Sequence, residues 1–129
     1  MSIPQSGGGP NESFDQLALL LEKGNKPKSD GRIGTEHEKF GYCEDTLAPL
    51  PYEGERSVLS ILQGLRDRFD WAPVEENGYL IGLTKDGANV SLEPGGAREL
   101  SGAPLETIDE NCDEVKVHMR EGTEVAEKM

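Results

Sequence analysis

The chain has 129 residues, with 25 Asp and Glu against 13 Lys and Arg, so 25 − 13 leaves a formal charge of −12. Such a field repels nucleic acid and anionic membrane, and both are excluded as partners. The length bounds one modest domain with a single core. At 34% hydrophobic and 5% aromatic residues that core is thin, yet clear apolar periodicities exclude a disordered chain. No run approaches the ~20 apolar residues needed to cross a bilayer. The N-terminal stretch MSIPQSGGGPNES lacks the basic and apolar regions of a signal peptide, so the cytoplasm is the expected compartment.

Residues 1–12, with Gly7-Gly8-Gly9-Pro10 in a row, are expected to form a flexible leader, and order to begin at Ser13. Ser13 and Gln16 stand in capping-box relation, and Phe14, Leu17, Leu20 and Leu21 repeat at helical spacing. Gly24 occupies the position of a left-handed C-terminal cap. A short amphipathic helix is predicted here, its apolar stripe joining the core. The segment Arg32 to Tyr42 has no helical stripe and is predicted to be a strand. Alternation then puts Glu36 and Glu38 on one face and Thr35, His37 and Lys39 on the other. At a rise of ~3.3 Å per residue the two glutamate β-carbons lie about 6.5–7 Å apart, which suits ligands of neighbouring cations better than a shared proton.

Residues 47–54, with Pro49 and Pro51, form an irregular connection, after which Val58, Ile61, Leu62, Leu65 and Phe69 predict a helix over about residues 55–69. Leu80 to Thr84 and Asn89 to Glu93 flank the turn signal Lys85-Asp86-Gly87-Ala88, the pattern of an antiparallel hairpin. In its second strand Asn89, Ser91 and Glu93 share one face and Val90 and Leu92 the opposite, apolar one. Pro94-Gly95-Gly96 interrupts that strand, and Glu99 follows before the turn Ser101-Gly102-Ala103-Pro104. Leu105, Ile108, Cys112, Val115 and Met119 then supply the buried stripe of a helix over about residues 104–120, beyond which Gly122 and Thr123 weaken its continuation. The fold class is α+β, an antiparallel sheet with packed helices. The chain has no internal repeat and is expected to stop while an element is still running.

The sequence carries no basic patch interleaved with aromatics, no Gly-x-x-x-x-Gly-Lys phosphate loop and no His-Glu-x-x-His helix. Cys43 and Cys112, far apart and without metal-ligand spacing, read as free thiols in preference to one disulfide. What remains is a set of carboxylates on strands and beside glycines: Glu36, Glu38, Glu93 and Glu99. Hard cations such as Mg²⁺ take oxygen ligands and commonly use one or two carboxylates together with substrate phosphates. A strand-borne Glu-x-Glu more often faces water, and on pattern alone metal ligation is the rarer outcome. His37 reads as a surface or structural histidine, and Cys43 as a passive thiol with no paired histidine beside it.

The runs Arg32-Ile33-Gly34-Thr35-Glu36-His37-Glu38-Lys39-Phe40-Gly41, Pro51-Tyr52-Glu53-Gly54, Leu80-Ile81-Gly82-Leu83-Thr84, Ser91-Leu92-Glu93-Pro94-Gly95-Gly96 and Glu99-Leu100-Ser101-Gly102-Ala103-Pro104-Leu105-Glu106-Thr107 together resemble glutamate–cysteine ligase of the plant and proteobacterial type. The resemblance runs from about Glu12 to the last residue and covers the N-terminal portion of a much longer enzyme. It implies that residues 13–129 belong to a glutamine-synthetase-like catalytic fold. It also implies the first step of glutathione synthesis: ATP phosphorylates the γ-carboxylate of glutamate, and the amine of cysteine displaces phosphate. The implied small molecules are glutamate, cysteine and ATP with Mg²⁺. Carried over by position, Glu36, Glu38, Glu93 and Glu99 are the implied Mg²⁺ ligands. Ala97-Arg98 departs from the family's usual Gln and apolar residue, and is expected to bring a cation beside Glu93 and Glu99 that competes with metal. Two further expectations are a non-catalytic binding or regulatory fragment that associates with a full-length relative, and a γ-glutamyl ligase with another amine acceptor.

Overall fold

Two short turns of mirror-image hand set the sheet. Asn77-Gly78 and Asp86-Gly87 both have positive φ at their two residues (52° and 83°; 49° and 87°), the conformation that joins antiparallel strands in register with their natural twist. The computed structural model describes residues 9, 10 and 12–129. The leader expected over residues 1–12 falls mostly outside the described residues. The elements are α1 (Phe14–Glu22), β1 (Glu36–Phe40), α2 (Val58–Phe69), β2 (Ala72–Glu76), β3 (Tyr79–Lys85), β4 (Ala88–Leu92), β5 (Ala97–Ser101) and α3 (Ile108–Ala126). The five strands form one antiparallel sheet in the order β1-β5-β4-β3-β2. The α+β architecture with an antiparallel sheet is as the sequence predicts.

The core lies between one sheet face and α2. Ser57 and Ser60 exchange side-chain-to-backbone hydrogen bonds in a capping box, which starts α2 and fixes its phase. That phase turns Val58, Ile61, Leu62 and Leu65 inward, all at most 3% exposed, against Leu83, Val90 and Leu100 of three adjacent strands. Asp70 in the left-handed region ends the helix, and Trp71 follows into the core with its indole nitrogen donating to Glu121 Oε2 at 2.9 Å. α3 crosses α2 where Gly64 leaves room for Val125; a β-carbon at Gly64 would meet Val125 Cγ1 at 2.5 Å.

Three expectations need correction. α1 forms where predicted, with Ser13 Oγ accepting from Gln16 N–H at 3.2 Å, but buries no residue: Phe14 is 82% and Leu21 78% exposed. Its apolar stripe is not part of the core, and Gly24 is not a left-handed cap, since the helix closes on Lys23 in right-handed geometry. α3 runs past Gly122 and Thr123 to Ala126. Arg68 donates to the Glu124 carbonyl at 2.8 Å and Val125 fills the hollow at Gly64, contacts that outweigh the ~1 kcal/mol cost of a helical glycine.

The buried side of α3 is also not the predicted one. Asn111, His118, Glu121 and Val125 face inward, while Ile108, Cys112 and Met119 are exposed. At 3.6 residues per turn the apolar stripe stands about a quarter turn away. Polar groups on the strand-connecting segments set this rotation. Thr35 Oγ1 donates to Asn111 Oδ1, Ala103 N–H to Glu114 Oε1 and Trp71 Nε1–H to Glu121. A buried donor left without an acceptor costs more than an exposed Ile or Met. Finally, β2 and β5 are strands that the sequence reading did not assign.

Candidate active-site face

The predicted carboxylates are brought to one face by strand register. β1 pairs with β5 so that Glu38 stands directly opposite Glu99 and Glu36 opposite Ser101. β4 pairs with the other edge of β5 so that Ser91 stands opposite Glu99. Directly opposed residues share a face, so Glu36, Glu38, Glu99, Ser91 and Ser101 do so, and Glu93 joins them two residues beyond Ser91. Between β4 and β5 the chain turns through Pro94-Gly95-Gly96. Gly95 and Gly96 have φ of 77° and 81°, and Glu93 N–H closes the turn on the Ala97 carbonyl at 2.8 Å.

Two hydroxyls hold two of these carboxylates. Ser91 Oγ donates to Glu93 Oε1 at 2.8 Å, and Ser101 Oγ donates to Glu99 Oε1 at 3.0 Å. Alternation puts Ser91 on the Glu93 face, as the sequence predicts, whereas Ser101, expected in a turn, instead ends β5 on the Glu99 face. Glu99 is 5% exposed, whereas Glu36 and Glu38 reach solvent. No ion pair among the described residues includes Glu36, Glu38 or Glu99. A buried carboxylate directly opposite another carboxylate is unfavourable unless a cation joins them. The donor set, all oxygen, is that of a hard cation. The carboxylates spread over β1, β5 and the turn after β4, however, and among the described residues no group of three or more His, Cys, Asp or Glu converges on a single ion position. A cleft of about 300 Å³ opens beside Glu93, walled by Leu50, Tyr52, Leu92 and the Gly95-Gly96 turn.

Arg98 does not compete on this face. It pairs directly with Lys39 across β1 and β5 and with Leu92 across β4 and β5, which turns it to the helix side of the sheet. His37 shares that side, as predicted, and the charges of all three reach His118 of α3. Burial lowers the Arg98 pKa, and burial together with the Arg98 charge pulls Lys39 down to about 8. Burial, then the charges of Lys39, Arg98 and His37, pull His118 down to about 4.

The His118 shift has a measurable consequence. The unfolded histidine takes up a proton near pH 6.5 and the folded one only near pH 4, so its contribution to stability is intact above 6.5 and lost as pH falls towards 4. The loss is on the order of 2–3 kcal/mol. Denaturant titrations from pH 7 to 4.5 should show this slope, and His118→Gln should flatten it. An equal slope in the variant would assign the acid sensitivity elsewhere.

Cys43 and Cys112 are both free thiols, and hydrogen bonding from Thr46 lowers the Cys43 pKa. No described helix is long and apolar enough to cross a membrane.

Residues 32–129 match the sequence model of Glutamate-cysteine ligase family 2, a span that takes in every strand and all four glutamates. The chain is 48% identical over 115 residues to "Glutamate--cysteine ligase A, chloroplastic" of Oryza sativa subsp. japonica, covering 89% of this chain and 23% of that protein. It is 47% identical to the chloroplastic glutamate–cysteine ligase of Nicotiana tabacum and 45% identical to that of Arabidopsis thaliana, each over 89% of this chain and 22% of the relative. The chain thus spans less than a quarter of the length of these relatives. Their names overturn the cytoplasmic expectation, since all three are chloroplastic proteins. That expectation rested on the first residues of a chain matching so small a share of its relatives, which carries no weight on compartment. On the family match, the identity to these enzymes and the ordered carboxylate face, the chain belongs to glutamate-cysteine ligase family 2.

Proposed function

We propose that this segment forms the carboxylate wall of an active site that joins the γ-carboxylate of L-glutamate to the amine of L-cysteine at the expense of ATP, the first step of glutathione synthesis. A free carboxylate is a poor acyl donor. Phosphoryl transfer from ATP gives γ-glutamyl phosphate, whose carbonyl the cysteine amine attacks with loss of phosphate. The observation that carries the reading is the row of same-face carboxylates set by register, with buried Glu99 directly opposite Glu38. Facing polyphosphate, such a row would repel substrate unless cations intervene. Glu36, Glu38, Glu93 and Glu99 are the residues that would hold Mg²⁺, which neutralises phosphate oxygens as charge shifts during transfer. Ser91 and Ser101 orient two of those carboxylates. The five-stranded sheet is, on this reading, part of a glutamine-synthetase-like fold completed by further segments. The uncovered apolar residues of α1 and α3 favour a second reading, a non-catalytic module that docks on a longer relative.

A ligase polypeptide that contains residues 32–129 should release one phosphate for each γ-glutamylcysteine formed, with both products dependent on Mg²⁺. Phosphate release without the dipeptide, or faster coupling to an amine other than cysteine, would contradict the assignment. Product formation unaffected by loss of the carboxylate face would favour the docking module.

A further inference from the structure

The helix side of the β1–β5 pair holds two cations, Lys39 and Arg98, that make no ion pair among the described residues. Lys39 and Arg98 are directly opposed across the strands, His37 lies two residues from Lys39 on the same face, and His118 of α3 is near enough for their charges to lower its pKa. Like charges directly opposed on a sheet repel. Lys39 Nζ, Arg98 Nε and His118 Nδ1 are each buried with no hydrogen-bond partner. Each of the other arginines, Arg32, Arg56, Arg66, Arg68 and Arg120, has a carboxylate at 2.7–3.9 Å; Arg98, among the described residues, has none. Glu114, one turn before His118 on α3, accepts from Ala103 N–H through Oε1 at 2.8 Å, its Oε2 is buried without a hydrogen-bond partner, and it makes no ion pair with Lys39, Arg98 or His118. In a chain of charge −12, Lys39 and Arg98 are nevertheless left without an ion-pair partner among the described residues.

We propose that Lys39, Arg98 and His118 form an oxyanion-binding site on the helix side of the sheet, one layer away from the carboxylate face. Buried donors without partners are costly, and charged ones more so. An anion with several acceptor oxygens, a phosphate or a carboxylate, satisfies an ammonium, a guanidinium Nε–H and an imidazole Nδ1–H together, which a single-atom anion does less well. His118, 6% exposed, forms the floor. β1 is an edge strand, and Lys39 and His37 are only half-buried, so the ligand enters past that edge. The site is independent of the proposed chemistry, and its failure leaves the carboxylate face untouched.

The test titrates the 129-residue chain at pH 7 with inorganic phosphate, and separately with acetate, at constant ionic strength set with NaCl. The Arg98 Nε–H and His118 ring resonances are followed by NMR. Saturable shifts of both groups are expected, weakened at least tenfold in Arg98→Leu and in Lys39→Met, with backbone spectra showing that the variants remain folded. Competition between phosphate and acetate identifies a general oxyanion site; saturation by phosphate alone identifies a phosphate site. No saturable shift with either anion, a response matched by NaCl, or an undiminished response in both variants overturns the proposal.

Discussion

Glu99→Gln should lower Mg²⁺-dependent γ-glutamylcysteine formation by a ligase that contains this segment on the order of 10²-fold, and Glu93→Gln comparably. The substitution keeps shape and the hydrogen bond from Ser101, and removes only the charge. Its effect on stability should run the other way. Glu99 is 5% exposed and stands opposite Glu38, so in the metal-free chain neutralising it relieves both desolvation and repulsion. Turnover should therefore fall while the melting temperature holds or rises. A variant that loses activity because it unfolds would show both falling together, and unchanged turnover in both variants would remove these residues from the site.

Leu65→Ala should destabilise the chain by about 2–5 kcal/mol, whereas Leu20→Ala should change stability by no more than about 0.5 kcal/mol. Leu65 is 0% exposed beneath the sheet; Leu20 is 61% exposed on α1. Both residues sit in apolar stripes of similar quality, and periodicity alone assigns both to the core. Chemical denaturation of the two variants separates them, and equal losses would mean that α1 is packed after all.

That pair marks where the sequence was legible. A stripe states that a helix has an apolar side; it does not state what covers it. For α2 the covering surface is the sheet encoded immediately after it, so Val58, Ile61, Leu62 and Leu65 are buried as predicted. For α1 no described element covers the stripe, and for α3 the hydrogen-bond needs of Thr35, Ala103 and Trp71 choose a different side from hydrophobicity. The β3–β4 hairpin was readable from Asp86-Gly87. The β2–β3 hairpin carries an equally plain signal in Asn77-Gly78, but Ala72–Glu76, with Pro73 and two glutamates, looks unlike a strand. β5 was hidden by its short length between two glycine turns.

The carboxylate face was legible in part. Alternation within β1 and β4 placed Glu36 with Glu38 and Ser91 with Glu93, because both facts are local. Which strand lies beside which is not local. Only the pairing of β1 and β4 on either edge of β5 puts Glu99 between them, and only that pairing turns Arg98 to the opposite side, away from the carboxylates it was expected to disturb.

The central claim, that these carboxylates hold a divalent cation, is tested most directly with Mn²⁺ as a paramagnetic substitute for Mg²⁺. Sub-stoichiometric Mn²⁺ is added to the isotope-labelled chain, and amide line broadening is mapped by residue. Broadening should centre on Glu36, Glu38, Glu93 and Glu99, and Mg²⁺ should reverse it. Broadening that spreads equally over the acidic outer surface of α3, at Asp109 and Asp113, would show only the pull of a chain at −12 and would contradict a metal site on the sheet.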